Sequence, residues 1–269
     1  MGGALRTYEG GATDPGRVRR NNEDHYGWRK PASPAEEAWG ILYAVADGVG
    51  GEAAGEAASQ IAVETFLRAY HAAPAEDPRG RLRHAVRQAN AAVYRSGRDD
   101  RRATTLVAAA VVGDVLHVAN VGDSRLYIVR GDAITQISQD HSWVQEQVRA
   151  GLLRPHEARR HPRGNVITRW LGQPEVEPDL FALELEPDDR IVLCTDGLVR
   201  HVDEERIRRV VQSRAEQAAA GELVRLANEG GGTDNVTVVV VRIGAEPADD
   251  EATLSCLPVE PRPAPQRRW

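Results

Sequence analysis

Asp47, Asp123, Asp196 and Asp234 sit in one kind of sequence environment. Asp47 and Asp196 each close a buried apolar run, Trp39–Ala46 and Ile191–Cys194, and each precedes a glycine. Asp123 lies in Val121-Gly122-Asp123-Ser124 just after a strand-like run, and Asp234 opens another in Gly232-Thr233-Asp234-Asn235. An unpaired carboxylate beside a core is costly unless a cation or hydrogen-bond donors compensate it. Glycine-rich turns at sheet ends can gather such side chains and leave backbone carbonyls free. Oxygen-only ligands favour hard ions, Mg²⁺ or Mn²⁺, over Zn²⁺. Taken singly, each aspartate reads as a turn or N-cap residue; taken together they read as a metal centre.

A second charged group lies upstream, where Arg17, Arg19 and Arg20 precede Asn21-Asn22-Glu23-Asp24. An arginine fork suits a phosphate dianion, and Glu23-Asp24 adds oxygen donors. Alone, this stretch is a charged loop.

The elements that must position these groups follow from periodicity. Trp39–Ala46 reads as a buried strand, and residues 52–70 read as a helix with Ile61, Phe66 and Leu67 inward. A second helix fits 77–96, with Leu82, Val86, Ala89 and Val93 on one face. The period then changes: 104–112, 115–121, 125–129 and 133–137 are short strands with turn signals between them. They are expected to form one antiparallel meander. Residues 142–175 hold a short helix and scattered turn signals, a candidate flap. Strands near 179–186 and 190–195, helices at 203–213 and 214–228, and a final strand at 236–241 complete the folded part. The order predicts an α+β fold with stacked sheets. Residues 1–243 would form one catalytic domain, and 244–269 a proline-rich disordered tail.

Bulk properties exclude several classes. The chain has 269 residues and a net charge of −6, which argues against a nucleic-acid or anionic-membrane partner. Only Cys194 and Cys256 are present, no signal core or membrane-length run occurs, and position 6 is Arg where a myristoylation signal needs Ser or Thr. A cytoplasmic monomer is expected.

The ordered set Arg19…Glu23-Asp24, Asp47-Gly48…Gly50-Gly51, Thr104-Thr105, Val121 to Arg125, Asp140-His141-Ser142, Thr195-Asp196-Gly197 and Gly232 to Asn235 resembles the protein phosphatase 2C family in its bacterial form. The resemblance spans roughly residues 6–243. It implies two stacked antiparallel β-sheets flanked by helix pairs, an α-β-β-α sandwich. It implies hydrolysis of phosphoserine or phosphothreonine in proteins by water bridging two Mn²⁺ or Mg²⁺ ions. Asp47 would bridge the ions, Asp196 and Asp234 would complete one, and the Gly48 carbonyl with Glu23, directly or through water, the other. Asp24 would support metal-bound water and Arg19 would hold the phosphate. A third ion would fall to Asp123 and Asp196. The partners would be phosphorylated proteins, opposite a serine/threonine kinase of the same bacterium.

The chain also departs from that pattern. Position 49 is Val where the eukaryotic branch has a histidine thought to act as general acid, leaving His141 and His161 as weak substitutes. Arg200 stands where some relatives carry an acidic ligand for the third metal, and Ala103 replaces a usual glycine. Cys194 and Arg200 mimic the Cys-five-Arg spacing of thiol phosphatases, but Cys194 ends an apolar run and Asp196 would repel phosphate. The same motifs would also suit a pseudophosphatase that binds phosphoproteins without turnover, or a phosphatase of small metabolites. Asp140-His141-Ser142 reads on its own as a helix cap.

Overall fold

The computed structural model describes residues 6–49, 52–97, 102–158 and 161–244. Gly50-Gly51, Arg159, Arg160, Cys256, the first five residues and the proline-rich segment after Gly244 lie outside the described residues.

The chain begins with β1 (Arg6–Asp14), β2 (Asp24–Arg29), a one-turn α1 (Pro34–Glu37) and β3 (Ile41–Val49). Two long helices follow, α2 (Glu52–His71) and α3 (Pro78–Ser96). Asp77 caps α3 by accepting from the Gly80 N–H at 2.8 Å, and Pro78 supplies a preset first turn. Next come β4 (Ala103–Thr104), β5 (Leu106–Val112), β6 (Val115–Val121), β7 (Arg125–Arg130) and β8 (Ala133–Gln136). The segment leading to β9 (Asp179–Glu184) carries α4 (Trp143–Arg149) and α5 (Pro155–Ala158). The chain then forms β10 (Arg190–Cys194), α6 (Asp196–Val199), α7 (Glu204–Ser213), α8 (Glu216–Glu229) and β11 (Val236–Gly244).

These strands build two sheets, ordered β1-β11-β10-β7-β8 and β2-β3-β5-β6-β9, with β4 appended to β3. Every named strand pair is antiparallel. Between the sheets lies a core that includes Tyr43, Val45, Leu116, Leu126, Ile191 and Val239. Phe66, Leu82 and Val86 of α2 and α3 pack on one outer face, and Ile207, Val211 and Leu223 of α7 and α8 on the other. Each large side chain so buried contributes about 1.5–3 kcal/mol. The expected α-β-β-α sandwich is present.

One expectation fails. The four short strands are not one meander, because β6 belongs to the β3 sheet and β7 to the β10 sheet. The chain crosses between layers at Gly122-Asp123-Ser124, where Gly122 has φ +107°. Adjacent apolar runs report burial, and both layers of a sandwich are equally buried.

Candidate metal centre

The strands alternate in direction, so one rim of the sandwich collects the start of β2, the end of β3, the ends of β6 and β10, and the start of β11. That rim holds Asp24, Asp47, Asp123, Asp196 and Asp234. Asp24 and Asp47 are direct cross-strand partners in the β2–β3 ladder. Like charges placed opposite each other destabilise a sheet, so this pairing needs a compensating cation or proton.

Backbone and hydroxyl groups fix the positions. The Asp47 N–H donates to Thr105 Oγ1 at 2.9 Å, while its carbonyl accepts from the Thr105 N–H at 2.9 Å and from Thr104 Oγ1 at 2.8 Å. Thr105 Oγ1 also bonds Ser124 Oγ at 2.7 Å, tying Asp47 to the turn that carries Asp123. Gly48 donates to the Glu23 carbonyl at 3.1 Å. A β-carbon on Gly48 would come within 2.2 Å of the Gly55 carbonyl, and one on Gly55 within 2.0 Å of Glu23 Oε2. Glycine at both positions therefore lets β3, α2 and the Glu23 carboxylate share one small space.

Asp24 Oδ2 accepts from Thr195 Oγ1 at 2.8 Å, but Asp24 Oδ1 is buried without a hydrogen-bond partner. Asp196 Oδ1 is in the same state. Burial raises the Asp24 carboxyl to about 7 against the pull of Thr237 and Thr195, and Asp196 and Asp234 add to the rise. Asp123 is raised to about 8, by burial and then by Asp196 and Asp140. Asp47 is raised well above the carboxylate range by burial, then by Asp24, Asp196, Asp123 and Asp234. These acids repel one another across one site.

Arginines supply the present counter-charge. Arg19 Nε lies 3.0 Å from Asp234 Oδ1 and its Nη2 3.2 Å from Oδ2, while Arg200 Nη2 donates to Asp196 Oδ2. Among the described residues, no group of three or more acids, histidines or cysteines is placed so that it could hold a metal ion as the side chains stand. The set nevertheless fits a hard dication. It offers oxygen donors only, and two of them, Asp24 Oδ1 and Asp196 Oδ1, lack any donor to face.

Some supporting residues have roles that the sequence does not announce. Asn235 clamps the upstream loop: its Oδ1 accepts from the Glu23 N–H at 2.9 Å, and its Nδ2 donates to the carbonyls of Pro15 and Asn21 at 3.0 and 2.8 Å. Arg125 grips both carboxylate oxygens of Asp140, with its Nη2 2.7 Å from Oδ2, and Nη1 donates to Tyr127 OH. The helix-cap reading of Asp140-His141-Ser142 is thus corrected: Asp140 is engaged by Arg125, and Ser142 begins α4 without a side-chain cap bond. His141 is also occupied. Its Nδ1 accepts from the Gly122 N–H at 3.0 Å, so Nε2 carries the proton offered to Asp179 Oδ2 at 3.1 Å. His161 stacks on Trp143 with ring centroids 5.0 Å apart. Cys194 is fully buried, and burial pushes its thiol up to about 12. A thiol held protonated there is no nucleophile. A recess of about 530 Å³ between α3 and residues 174–177 is lined by Arg87, Asn90 and Glu177, and by none of the five aspartates.

The protein phosphatase 2C family model matches residues 17–228. The chain belongs to the protein phosphatase 2C family. Within it, the chain is 38% identical over 235 residues to the serine/threonine protein phosphatase PstP of Mycobacterium tuberculosis, covering 86% of this chain and 44% of that protein. The chain thus spans less than half the length of that relative. It is 35% identical to the protein phosphatase PhpP of Streptococcus pneumoniae, covering 88% of this chain and 98% of PhpP. A solved structure of the PstP catalytic domain in complex with two manganese ions aligns with a TM-score of 0.77 at 36% identity, over 89% of this chain and 99% of that one. Of the phosphatase 2C motifs read in the sequence, those that carry Glu23-Asp24, Asp47-Gly48, Asp123, Asp196 and Asp234 fall on the acidic rim described above.

Proposed function

We propose that the chain is a metal-dependent protein phosphatase that hydrolyses phosphoserine and phosphothreonine. The carrying observation is the acidic rim, where strands of both sheets bring buried and half-buried carboxylates together, two with donor-less oxygens, beside a half-exposed arginine. Asp47, Asp196, Asp234, Glu23 and the Gly48 carbonyl would hold two Mn²⁺ or Mg²⁺ ions. Asp123 with Asp196 is the remaining place for an ion. When bound, the ions would offset the phosphoryl charge and activate water as nucleophile near neutral pH.

The chain's own groups do the rest. Arg19, with its side chain 52% exposed, can leave Asp234 for the phosphate dianion and hold it as a fork. Thr195 anchors Asp24 Oδ2 and leaves Asp24 Oδ1 without a hydrogen-bond partner, the oxygen that would support metal-bound water. The Asn235 clamp keeps the Arg19–Asp24 loop at the rim. His141 is taken up by Gly122 and Asp179, which leaves it structural.

The substrates would be phosphoproteins of a serine/threonine kinase in the same cell, with the enzyme a cytoplasmic monomer. Among the described residues no helix is long and apolar enough to cross a membrane. Phosphate release from a phosphothreonine peptide tests the reading. Release should require Mn²⁺, stop in EDTA and survive iodoacetamide. Peptide binding without release would favour a pseudophosphatase, and release in EDTA would remove the metal.

A further inference from the structure

The chain carries a cation of its own on the turn that presents Asp196. Asp196 opens α6 and Arg200 is its C-cap, with the Arg200 N–H donating to the Asp196 carbonyl at 3.1 Å. Residues four apart on a helical turn face each other, and Arg200 Nη2 donates to Asp196 Oδ2. The two arginines of the rim differ in how they are held. Arg19 reaches Asp234 from a separate loop and its side chain is 52% exposed, whereas that of Arg200 is 27% exposed. The exposed Arg19 side chain can turn away from Asp234 while its loop stays clamped; Arg200 moves only by giving up a partner on its own turn.

The reach of that charge extends beyond one pair. Beyond its direct contact with Asp196, the Arg200 guanidinium is close enough for its charge to act on Asp234 and Asp123. One guanidinium therefore faces the acids that would have to share any ion between Asp123 and Asp196. A dication entering there must displace or sit beside a fixed positive charge, which costs binding free energy in a partly desolvated site.

Resting on the metal reading above, we propose that Arg200 is a built-in counter-cation that competes with divalent ions for Asp196. It holds the chain to two tightly bound ions and leaves the Asp123–Asp196 position weak. It also neutralises the rim when ions are scarce, so the metal-free fold does not bear the full repulsion of its acids.

Calorimetric titration of the metal-free protein with MnCl₂ tests this, with free Mn²⁺ counted by paramagnetic resonance. Wild type should take two ions. Arg200→Gln should take a further ion, or bind Mn²⁺ about tenfold more tightly. Arg200→Lys, which keeps the charge, should stay near wild type. Thermal melts give a second readout: in EDTA Arg200→Gln should melt below Arg200→Lys, and Mn²⁺ should raise its Tm by more. Both variants lose the guanidinium plane, so their difference isolates the charge. Equal isotherms for all three proteins, or a tight third ion in wild type, would overturn the inference while leaving the metal reading intact. No Mn²⁺ uptake by any of them would overturn both.

Discussion

The two rims of this sandwich treat buried carboxylates in opposite ways. At the rim away from the cluster, Asp189 has a side chain only 1% exposed, yet its oxygens are fully engaged. Arg130 donates to both of them, at 2.8 and 2.6 Å, and the Glu186 N–H donates to Oδ2 at 2.8 Å. At the acidic rim, Asp24 and Asp196 each keep an oxygen with no donor at all. Asp24 and Asp189 are both buried aspartates, while Asp196 is half-buried. The partner inventory separates Asp189, whose oxygens are all engaged, from the two rim acids proposed to meet a metal, each with an unpartnered oxygen.

The sharpest way to break that contrast is to delete acids at both rims. Asp47→Ala or Asp196→Ala should lower Mn²⁺-dependent turnover of a phosphopeptide by about a thousandfold or more, while metal-free Tm stays level or rises. Asp189→Ala should do the reverse, costing about 1–3 kcal/mol in urea unfolding with turnover kept. Loss of turnover without loss of stability at Asp189 would erase the distinction between the rims.

Arg19→Ala should raise KM for phosphopeptide by about tenfold, equivalent to ~1.4 kcal/mol of phosphate binding. An unchanged KM would leave Arg19 as a partner of Asp234 only.

The protonation behaviour of the acidic rim sharpens the contrast further. Asp24 and Asp123 hold their protons up to about 7 and about 8 in the fold, against 3.8 in an unfolded chain. Between those limits the native state binds more protons than the unfolded state, so stability falls as pH rises. Metal-free protein in EDTA should melt at a lower temperature at pH 8 than at pH 5, and saturating Mn²⁺ should flatten or reverse the slope. A Tm that rises with pH in EDTA would show that the acids already have partners. The smallest effect is a null one: iodoacetamide should leave turnover unchanged, because Cys194 is buried and protonated.

Legibility followed chemistry more closely than topology. The aspartates closing β3 and β10 and opening β11 could be read because an acid at the end of an apolar run stands out against its neighbours. The edge strands β1 and β2 could not, since Arg6–Asp14 and Asp24–Arg29 are mixed in polarity and only partly buried. Their stability comes from distant contacts: a β-carbon on Gly10 would strike the Gln217 backbone of α8, and one on Gly11 the Tyr26 ring. The crossing at Gly122 is hidden for a related reason, because apolar alternation says nothing about which layer a strand joins. Asn235 and Thr195 stand within the matched motifs, but their roles need partners more than 150 residues away in sequence. Arg200 stands out in the sequence as a departure from the family pattern, and only the geometry shows it gripping Asp196.

The register of β1 against β11 sets Arg6 beside Gly244, while Asp14 and Val236 meet at the acidic end. The first and last described residues are therefore neighbours, remote from the reacting groups. A short peptide joining them, with new ends cut in the Gly113 or Gly131 hairpin, would give a circular permutant whose sheets keep every ladder and whose approach to the acids stays open.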